Sequence, residues 1–237
     1  MKKIVAIVSG LLFSAGLLAQ QPISDPNVQV REAKNFHAIH LSSAFDVFLT
    51  QGSEEKVAVS AGEAKDLAYI TVEVKNGVLE VGWDHKRKWS RGNKKLKAYI
   101  SFKEIDDLSA GGACDVDIEG ILKADDLTID LSGASDLSGK IEVTKKLSIE
   151  LSGASDAKLS GTATELKIDA SGASSFKGFD FSADYCNVKA SGASDIKITV
   201  NKELSADASG ASDVDYKGGG VTRDIKTSGA SSISRQS

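Results

Sequence analysis

The sequence predicts an all-β protein built as a parallel β-helix, with about 20 residues and three short strands in each coil. Two observations predict this fold. A five-residue motif occurs seven times, and its central glycine recurs at intervals of 21, 20, 19, 20, 18 and 19 residues. The segment before each motif alternates apolar and polar residues, as a strand with one buried face does. We expect a right-handed solenoid whose less regular N-terminal coils act as a cap.

The motif reads SGASD in four copies, SGASS in two and GGACD in one. Its central glycines are Gly112, Gly133, Gly153, Gly172, Gly192, Gly210 and Gly229. Further glycines mark other corners of the coils, at Gly120, Gly139, Gly161, Gly178 and Gly218. The flanking apolar residues Leu131 and Leu137 are six positions apart. An extended chain between them would point Gly133 and Ser135 inward and Asp136 outward.

Stacking the motifs would align their acidic residues in one column on the outside of a corner. The column comprises Asp115, Asp136, Asp156, Asp195 and Asp213, and is interrupted at Ser175 and Ser232. We favour a structural role, in which small residues fit a tight bend and aspartate satisfies backbone donors. The alternative is a cation column, whose candidate ligands are Asp136, Asp156, Asp195 and Asp213. Lysines such as Lys158 and Lys197 could instead neutralise the carboxylates. We predict no catalytic residue and no cofactor site.

Residues 1–19 have the layout of a secretory signal peptide. Lys2 and Lys3 precede an apolar run from Ile4 to Leu18, and small and polar residues follow. The run of about 15 residues is shorter than the ~20 that a membrane-spanning helix needs. We therefore expect an exported protein, in the periplasm or on the outer surface of a Gram-negative cell, that begins near residue 20 and has no membrane span.

After a short segment, residues 20–29, we expect residues 30–237 to form a single domain with regular coils from about residue 105. The sequence SSAFD at Ser42–Asp46 resembles a degenerate first motif, and the 69 residues from Asp46 to Asp115 have room for about three more coils. Among them, AGEAKDLAY predicts a short helical turn, and KNG before VLEVGW predicts a tight turn. A domain boundary near residue 105 is the alternative.

Charge is unevenly distributed along the chain. The sequence has 29 Lys and Arg against 33 Asp and Glu, a net charge of −4. Loss of Lys2 and Lys3 with the leader would make it about −6. Seven of the basic residues lie between Lys86 and Lys97. Because the rest of the chain is strongly acidic, nucleic acid is not an expected partner.

The basic segment is the predicted ligand-binding site. Its candidate residues are Lys86, Arg87, Lys88, Trp89 and Arg91. Cationic side chains around an exposed tryptophan can hold an anionic glycan or another anionic envelope polymer. The alternative is a solvated hairpin tip with Trp83 buried.

The two cysteines, Cys114 and Cys186, are 72 residues apart, which places them more than three coils apart. That separation is roughly 15 Å at ~4.8 Å per coil. A disulfide requires Cα atoms within about 7 Å, so we expect two separate, buried thiols. These cysteines and three scattered histidines show no metal-ligand spacing.

The SGASD series, together with FHAIHLSSAFDVFLTQG (Phe36–Gly52) and ITVEVKNGVLEV (Ile70–Val81), resembles the putative auto-transporter adhesin, head GIN domain family. This is a domain of unknown function common in exported proteins of Bacteroidetes. The resemblance extends from about Val30 to the end of the sequence. It implies a β-helical exported protein and brings no catalytic residues to this chain.

These observations favour a non-catalytic envelope or surface module with an adhesin-like binding or scaffolding role. A β-helical polysaccharide lyase or hydrolase is one alternative, but such enzymes need grooves walled by long loops, and the regular intervals leave little room for them. A self-assembling structural protein is the other. The last coil carries Ile225 and Ile233 with no capping unit after it, so we expect a homo-oligomer through the C-terminal coil. Alternatively, Arg235 and its neighbours protect that edge.

Overall fold

The computed structural model describes residues 25, 27–84 and 95–237, and this part of the chain is almost entirely β-structure. It contains sixteen strands and one short 3₁₀ helix, Ala64–Tyr69. The strands are β1 (Val28–Arg31), β2 (Ala38–Leu41), β3 (Asp46–Gln51), β4 (Lys56–Ser60), β5 (Ile70–Lys75), β6 (Val78–Trp83), β7 (Lys97–Phe102), β8 (Asp107–Ala110), β9 (Asp115–Leu131), β10 (Asp136–Leu151), β11 (Asp156–Ala170), β12 (Ser175–Ala190), β13 (Asp195–Ala208), β14 (Asp213–Lys217), β15 (Val221–Thr227) and β16 (Ser232–Arg235).

The long strands β9 to β13 pair in parallel, each with the next along the chain, so each is one coil of a solenoid. Leu147 of β10, for example, pairs with Leu127 of β9 and with Leu166 of β11. The predicted parallel β-helix with coils of about 20 residues is therefore confirmed. The three short strands expected in each coil are joined into one long pairing ladder, and register shifts such as that between Val143 and Lys146 interrupt it.

The core of the solenoid is filled by inward side chains of complementary size. Two inward positions of the coil of β12 hold the small residues Cys186 and Ala190. The coil of β10 has leucine at both equivalent positions. The same coil carries Phe176 and Phe181, both fully buried, with ring centroids 6.5 Å apart. Because protein cores are close-packed, the two large rings offset the smaller side chains elsewhere in the coil.

The repeated motif forms a tight corner of each coil. Ser135 is fully buried, as the alternation predicts, and its hydroxyl donates to the Ser132 carbonyl oxygen at 3.0 Å. Gly133 is exposed, although the alternation places it inward. Its φ of 76° lies in the left-handed region, so the chain turns there and the alternation of an extended strand ends. The inward serine is confirmed, and the inward glycine is wrong.

The N-terminal region is a cap with mixed pairing. Strand β3 lies directly beside β9, so Asp46 pairs with Asp115 and the SSAFD segment is the first, degenerate copy of the motif. The prediction of three more coils between these two residues is wrong. The intervening chain instead forms antiparallel pairs of β1 with β4, β4 with β7 and β5 with β6. Among the described strands of this region, β6 and β7 stack in parallel on β2 and β3 as one further layer. Strand β8 pairs in parallel with the opposite edge of β2 and leads into the first regular coil.

Two local predictions in the cap are confirmed. The AGEAKDLAY segment contains the 3₁₀ helix that leads into β5. Asn76 and Gly77 have φ angles of 52° and 80°, so the KNG sequence forms the tight turn between the antiparallel strands β5 and β6. Trp83, at the end of β6, is buried beside Tyr69, with ring centroids 5.4 Å apart.

Both cysteines are free and buried, as the sequence predicts. Cys114 precedes β9 and Cys186 lies in β12, with β10 and β11 between those strands. Burial raises the pKa of both thiols, that of Cys186 to about 12. Neither group is therefore present as a reactive thiolate at neutral pH.

The C-terminal coil is less covered than the coils before it. Strand β15 pairs with β13, and all seven of its residues are exposed. Val221 is 61% exposed and Ile225 40%, while Ile233 of β16 is half-buried. Within the described ranges, no helix has both the length and the apolar character needed to cross a membrane.

Candidate functional site

The predicted column of aspartates is present on the outer side of the motif corner. Each member pairs in register with the equivalent residue of the next coil, and the cap extends the column by one residue. The column runs through Asp46, Asp115, Asp136, Asp156, Ser175, Asp195, Asp213 and Ser232. Neighbouring strands are about 4.8 Å apart, so the carboxylates form a line.

Lysines neutralise the C-terminal part of the column. The ammonium group of Lys177 lies 2.7 Å from Asp156, and that of Lys197 lies 2.9 Å from Asp195. Lys197 was one of the two lysines that the sequence indicated for this role. The other, Lys158, forms no ion pair with any described residue. These contacts remove much of the repulsion that would otherwise favour a bound cation.

The N-terminal part of the column is less compensated. Partial burial, followed by repulsion from Asp156 and Asp115, raises the pKa of Asp136. Partial burial and the nearby Asp46 likewise raise the pKa of Asp115. A line of carboxylates does not converge on one point, and the described residues contain no group of three or more His, Cys, Asp or Glu side chains placed to hold a metal ion. The column therefore gives no support for the candidate metal ligands Asp136, Asp156, Asp195 and Asp213.

The predicted basic site lies outside the described residues, which end at Asp84 and resume at Lys95. This applies to Lys86, Arg87, Lys88, Trp89 and Arg91. The strands before and after the segment in the sequence, β6 and β7, are described. Strand β6 stacks on β2 and strand β7 on β3, and β2 and β3 flank the first, degenerate motif.

A second candidate site, which the sequence did not predict, is a trough on the flat face that precedes the corner. It has a volume of about 420 Å³ and spans β10 to β13. Its outward-facing lining residues are Lys146, Glu165, Lys167, Tyr185, Asn187, Lys189, Glu203 and Ser205. Tyr185, Asn187 and Lys189 alternate along β12 with buried residues, which directs all three outward.

One residue in the sequence indicates the trough. Its outward columns carry mostly charged and small polar residues, and Tyr185 stands between Glu165 and Glu203 in one of them. An aromatic residue at an outward position departs from this pattern. The repeat does not predict this residue, because Tyr185 breaks the repeat.

Solved structures share this fold. A putative adhesin from Bacteroides fragilis superposes with a TM-score of 0.80 at 24% sequence identity, over 88% of this chain and 96% of that one. A putative adhesin from Parabacteroides merdae superposes with a TM-score of 0.64 at 19% sequence identity, over 91% of this chain and 98% of that one. A putative lipid binding protein from Parabacteroides distasonis superposes with a TM-score of 0.68 at 19% sequence identity, also over 91% of this chain and 98% of that one. At these identities the likeness concerns the fold alone.

No curated protein matches the chain significantly. The sequence profile of one family matches residues 35–220, which include the cap after β1 and the regular coils up to β14. The resemblance drawn from the SGASD series is thereby confirmed. The chain belongs to the putative auto-transporter adhesin, head GIN domain family.

Proposed function

We propose that the chain is a non-catalytic binding module, exported to the periplasm or the outer surface of a Gram-negative cell, and that its ligand is an envelope or surface glycan. One observation carries the proposal. The outer faces of the coils are flat parallel sheet, on which equivalent positions recur about every 4.8 Å. Successive units of a polymer can meet equivalent positions on such a surface, which raises its avidity without new kinds of contact.

The family supports the binding role, because its description and those of its structural relatives name adhesins. We assign the anionic part of the ligand to the basic segment that includes Lys86, Arg87, Lys88, Trp89 and Arg91. The segment concentrates positive charge in a chain with a net charge of −4.

Lipid is the second candidate ligand, because one structural relative is a putative lipid binding protein. An anionic lipid headgroup offers the basic segment the same charge as an anionic glycan does. The two sources are distinguished by comparing soluble polyanions with vesicles of phosphatidylcholine that contain or lack phosphatidylglycerol. Binding to the charged vesicles alone would assign the segment to membrane lipid.

The experiment that tests the proposal is a glycan array probed with the purified protein. A matched variant carries Lys86→Glu, Arg87→Glu, Lys88→Glu and Arg91→Glu. We expect the wild-type protein to retain glycans without releasing products from them, and we expect the variant to lose only salt-sensitive binding of anionic glycans. Release of products from a polysaccharide would contradict the non-catalytic role, and failure to bind any glycan would contradict the proposed ligand.

We also propose self-association through the C-terminal coil. Strand β15 exposes Val221 and Ile225 beside an edge that no other described strand covers. A second copy could add a strand there and bury these side chains. Sedimentation at micromolar concentration should show a dimer or larger assembly, and Ile225→Lys should dissociate it. A strict monomer would rule the interface out.

A further inference from the structure

The trough contains an unusual side chain for an outer sheet face. Five large apolar or aromatic side chains in the described ranges are highly exposed, and Tyr185, at 45%, is the one aromatic ring among them. An exposed aromatic ring presents a flat apolar surface to solvent. In a binding site, that surface stacks on a flat apolar face of a ligand.

The backbone beneath the tyrosine ring belongs to the core, and a lysine lies over the ring. Its neighbour Cys186 is buried in the core, so the backbone beneath the ring is part of the packed solenoid. The ammonium group of Lys202 lies 5.5 Å from the ring centroid and forms an ion pair with Asp184 at 2.7 Å. Lys202 itself is not among the residues that line the trough.

The polar side chains around the ring have unused hydrogen-bonding capacity. Glu203 is engaged by Arg223 at 2.9 Å. The other polar lining side chains make no hydrogen bond or ion pair with the described part of the chain: Lys146, Glu165, Lys167, Asn187, Lys189 and Ser205. Together they offer cationic and amide donors, carboxylate and amide acceptors, and a hydroxyl group that can do both.

The charges of the trough alternate in sign. Glu165 and Lys167 occupy successive outward positions on β11, and Asp169 follows them. Lys189 on β12 pairs in register with Asp169 on one side and Asp207 on the other. Because each ammonium group has carboxylates nearby, the trough is not a general anion site. Closely spaced donors and acceptors suit a ligand whose hydroxyl groups both donate and accept.

We propose that the Tyr185 trough is a binding subsite for a neutral, hydroxyl-rich sugar ring, which stacks on Tyr185 while its hydroxyl groups bond to Glu165, Lys167 and Asn187. A volume of about 420 Å³ lies within the range of small-ligand sites, roughly 300–1,000 Å³. This inference rests on the proposed glycan-binding function and adds to it a site of different chemistry from the basic segment. It assigns neutral sugars to the coil face and anionic groups to the basic segment.

The test is titration of the purified protein with neutral hexasaccharides of glucose, mannose and xylose, and with polygalacturonate as the anionic probe. Tyr185→Ala should weaken binding of the preferred neutral sugar by about tenfold or more, because the stacking surface is lost. Tyr185→Phe keeps the ring and should retain most of the affinity. Phe179→Ala is the matched control, since Phe179 lies on the same strand with the Lys217 ammonium 4.7 Å from its ring centroid, outside the trough.

The outcomes separate the two proposals. Neutral-sugar binding that is unchanged in Tyr185→Ala would overturn the assignment of the trough and leave the glycan-binding function in place. The assignment would also be overturned if the protein bound polygalacturonate but no neutral sugar, and if only the charge reversal in the basic segment abolished that binding. Absence of binding to every glycan would overturn the proposed function as well. Thermal denaturation of each variant shows whether a loss of affinity reflects loss of the fold.

Discussion

The motif corner and the flat face before it are formed by the same coils, yet they follow opposite rules. At the corner, successive coils repeat the same residues. On the face, one outward column reads Asp126, Lys146, Glu165, Tyr185, Glu203 and Val221. The corner is constrained by contact between backbones, whereas the outward positions of the face hold charged, aromatic and aliphatic side chains. The comparison teaches that the repeated residues maintain the fold, and that binding should be sought among residues that break the repeat.

The largest expected effect is on stability, from Gly153→Val at the corner. Gly153 has a φ of 76°, and a Cβ there would lie 2.4 Å from the Gly133 carbonyl oxygen of the preceding coil. Because this contact is with backbone, the coils must separate. We expect a loss of about 3 kcal/mol or more in urea unfolding, with new protease sensitivity.

Two other glycines sharpen this prediction. At Gly120, φ is 84° but an added Cβ meets nothing within 4 Å, so Gly120→Ala should cost only the conformational strain, about 1 kcal/mol. At Gly219 an added Cβ makes an ordinary contact, 3.8 Å from Asn201, and Gly219→Ala should change stability by less than about 0.5 kcal/mol. Equal midpoints for Gly153→Val and Gly219→Ala would refute the proposed role of the corner.

The next effect concerns the buried corner serine. Ser155 is fully buried, and its hydroxyl donates to the Ser152 carbonyl oxygen at 2.8 Å. Ser155→Ala removes that hydrogen bond and should cost on the order of 1 kcal/mol, measured by urea unfolding. Cys114 occupies the same position, with its sulfur 3.6 Å from the Gly111 carbonyl oxygen. Cys114→Ser should therefore be tolerated, and strong destabilisation by it would contradict the equivalence of the two positions.

The regular coils could be predicted from sequence because the same contact recurs in each of them. Gly133 and its equivalents repeat because each approaches the backbone of the neighbouring coil, so the interval between them gives the coil length directly. The cap could not be predicted in this way. Between Asp46 and Asp115 the strands pair partly in antiparallel fashion, and no constant interval results. The aspartate column followed from the repeat, whereas the trough depends on one residue, Tyr185, and on lining residues from four different strands.

A smaller effect is expected from the charge of the aspartate column. Because the pKa of Asp136 is raised, the folded chain binds the proton more tightly than the unfolded chain does, and ionised Asp136 disfavours folding. This destabilisation is complete above the pKa of Asp136 in the folded chain. It disappears as the pH falls below the pKa of aspartate in the unfolded chain, about 3.9. Asp136→Asn should therefore raise the urea midpoint at pH 7, and the difference from wild type should shrink toward pH 4.

Asp125, a carboxylate outside the column, is the control, because its pKa is shifted in the opposite direction. Hydrogen bonds from Thr144 and Lys145 lower the pKa of Asp125. The stability it contributes is present above its unfolded pKa and is lost as the pH falls through its folded pKa. Asp125→Asn should lower the midpoint at pH 7. If both variants shifted the urea midpoint in the same direction, repulsion within the aspartate column would not be the cause of the change in Asp136→Asn.

The smallest effect on stability is expected on the flat face. Tyr185→Ala and Lys167→Ala remove outward side chains, and neither should change the free energy of unfolding by more than about 0.5 kcal/mol. Lys158→Ala is the matched control for Lys167→Ala, because Lys158 is exposed on the other side of the corner. If the face variants destabilise the protein as strongly as Ser155→Ala does, the trough residues serve the fold and the contrast between corner and face fails.

The most direct test of this contrast is to map the contact surface by NMR while the isotopically labelled protein is titrated with its preferred neutral hexasaccharide. We expect the largest amide shifts on the outer face of β11 to β13, around Lys167, Tyr185 and Asn187. The motif corners, including Gly153, should remain unshifted. Shifts confined to the aspartate column or to the corner glycines would contradict the claim that the residues breaking the repeat form the binding site.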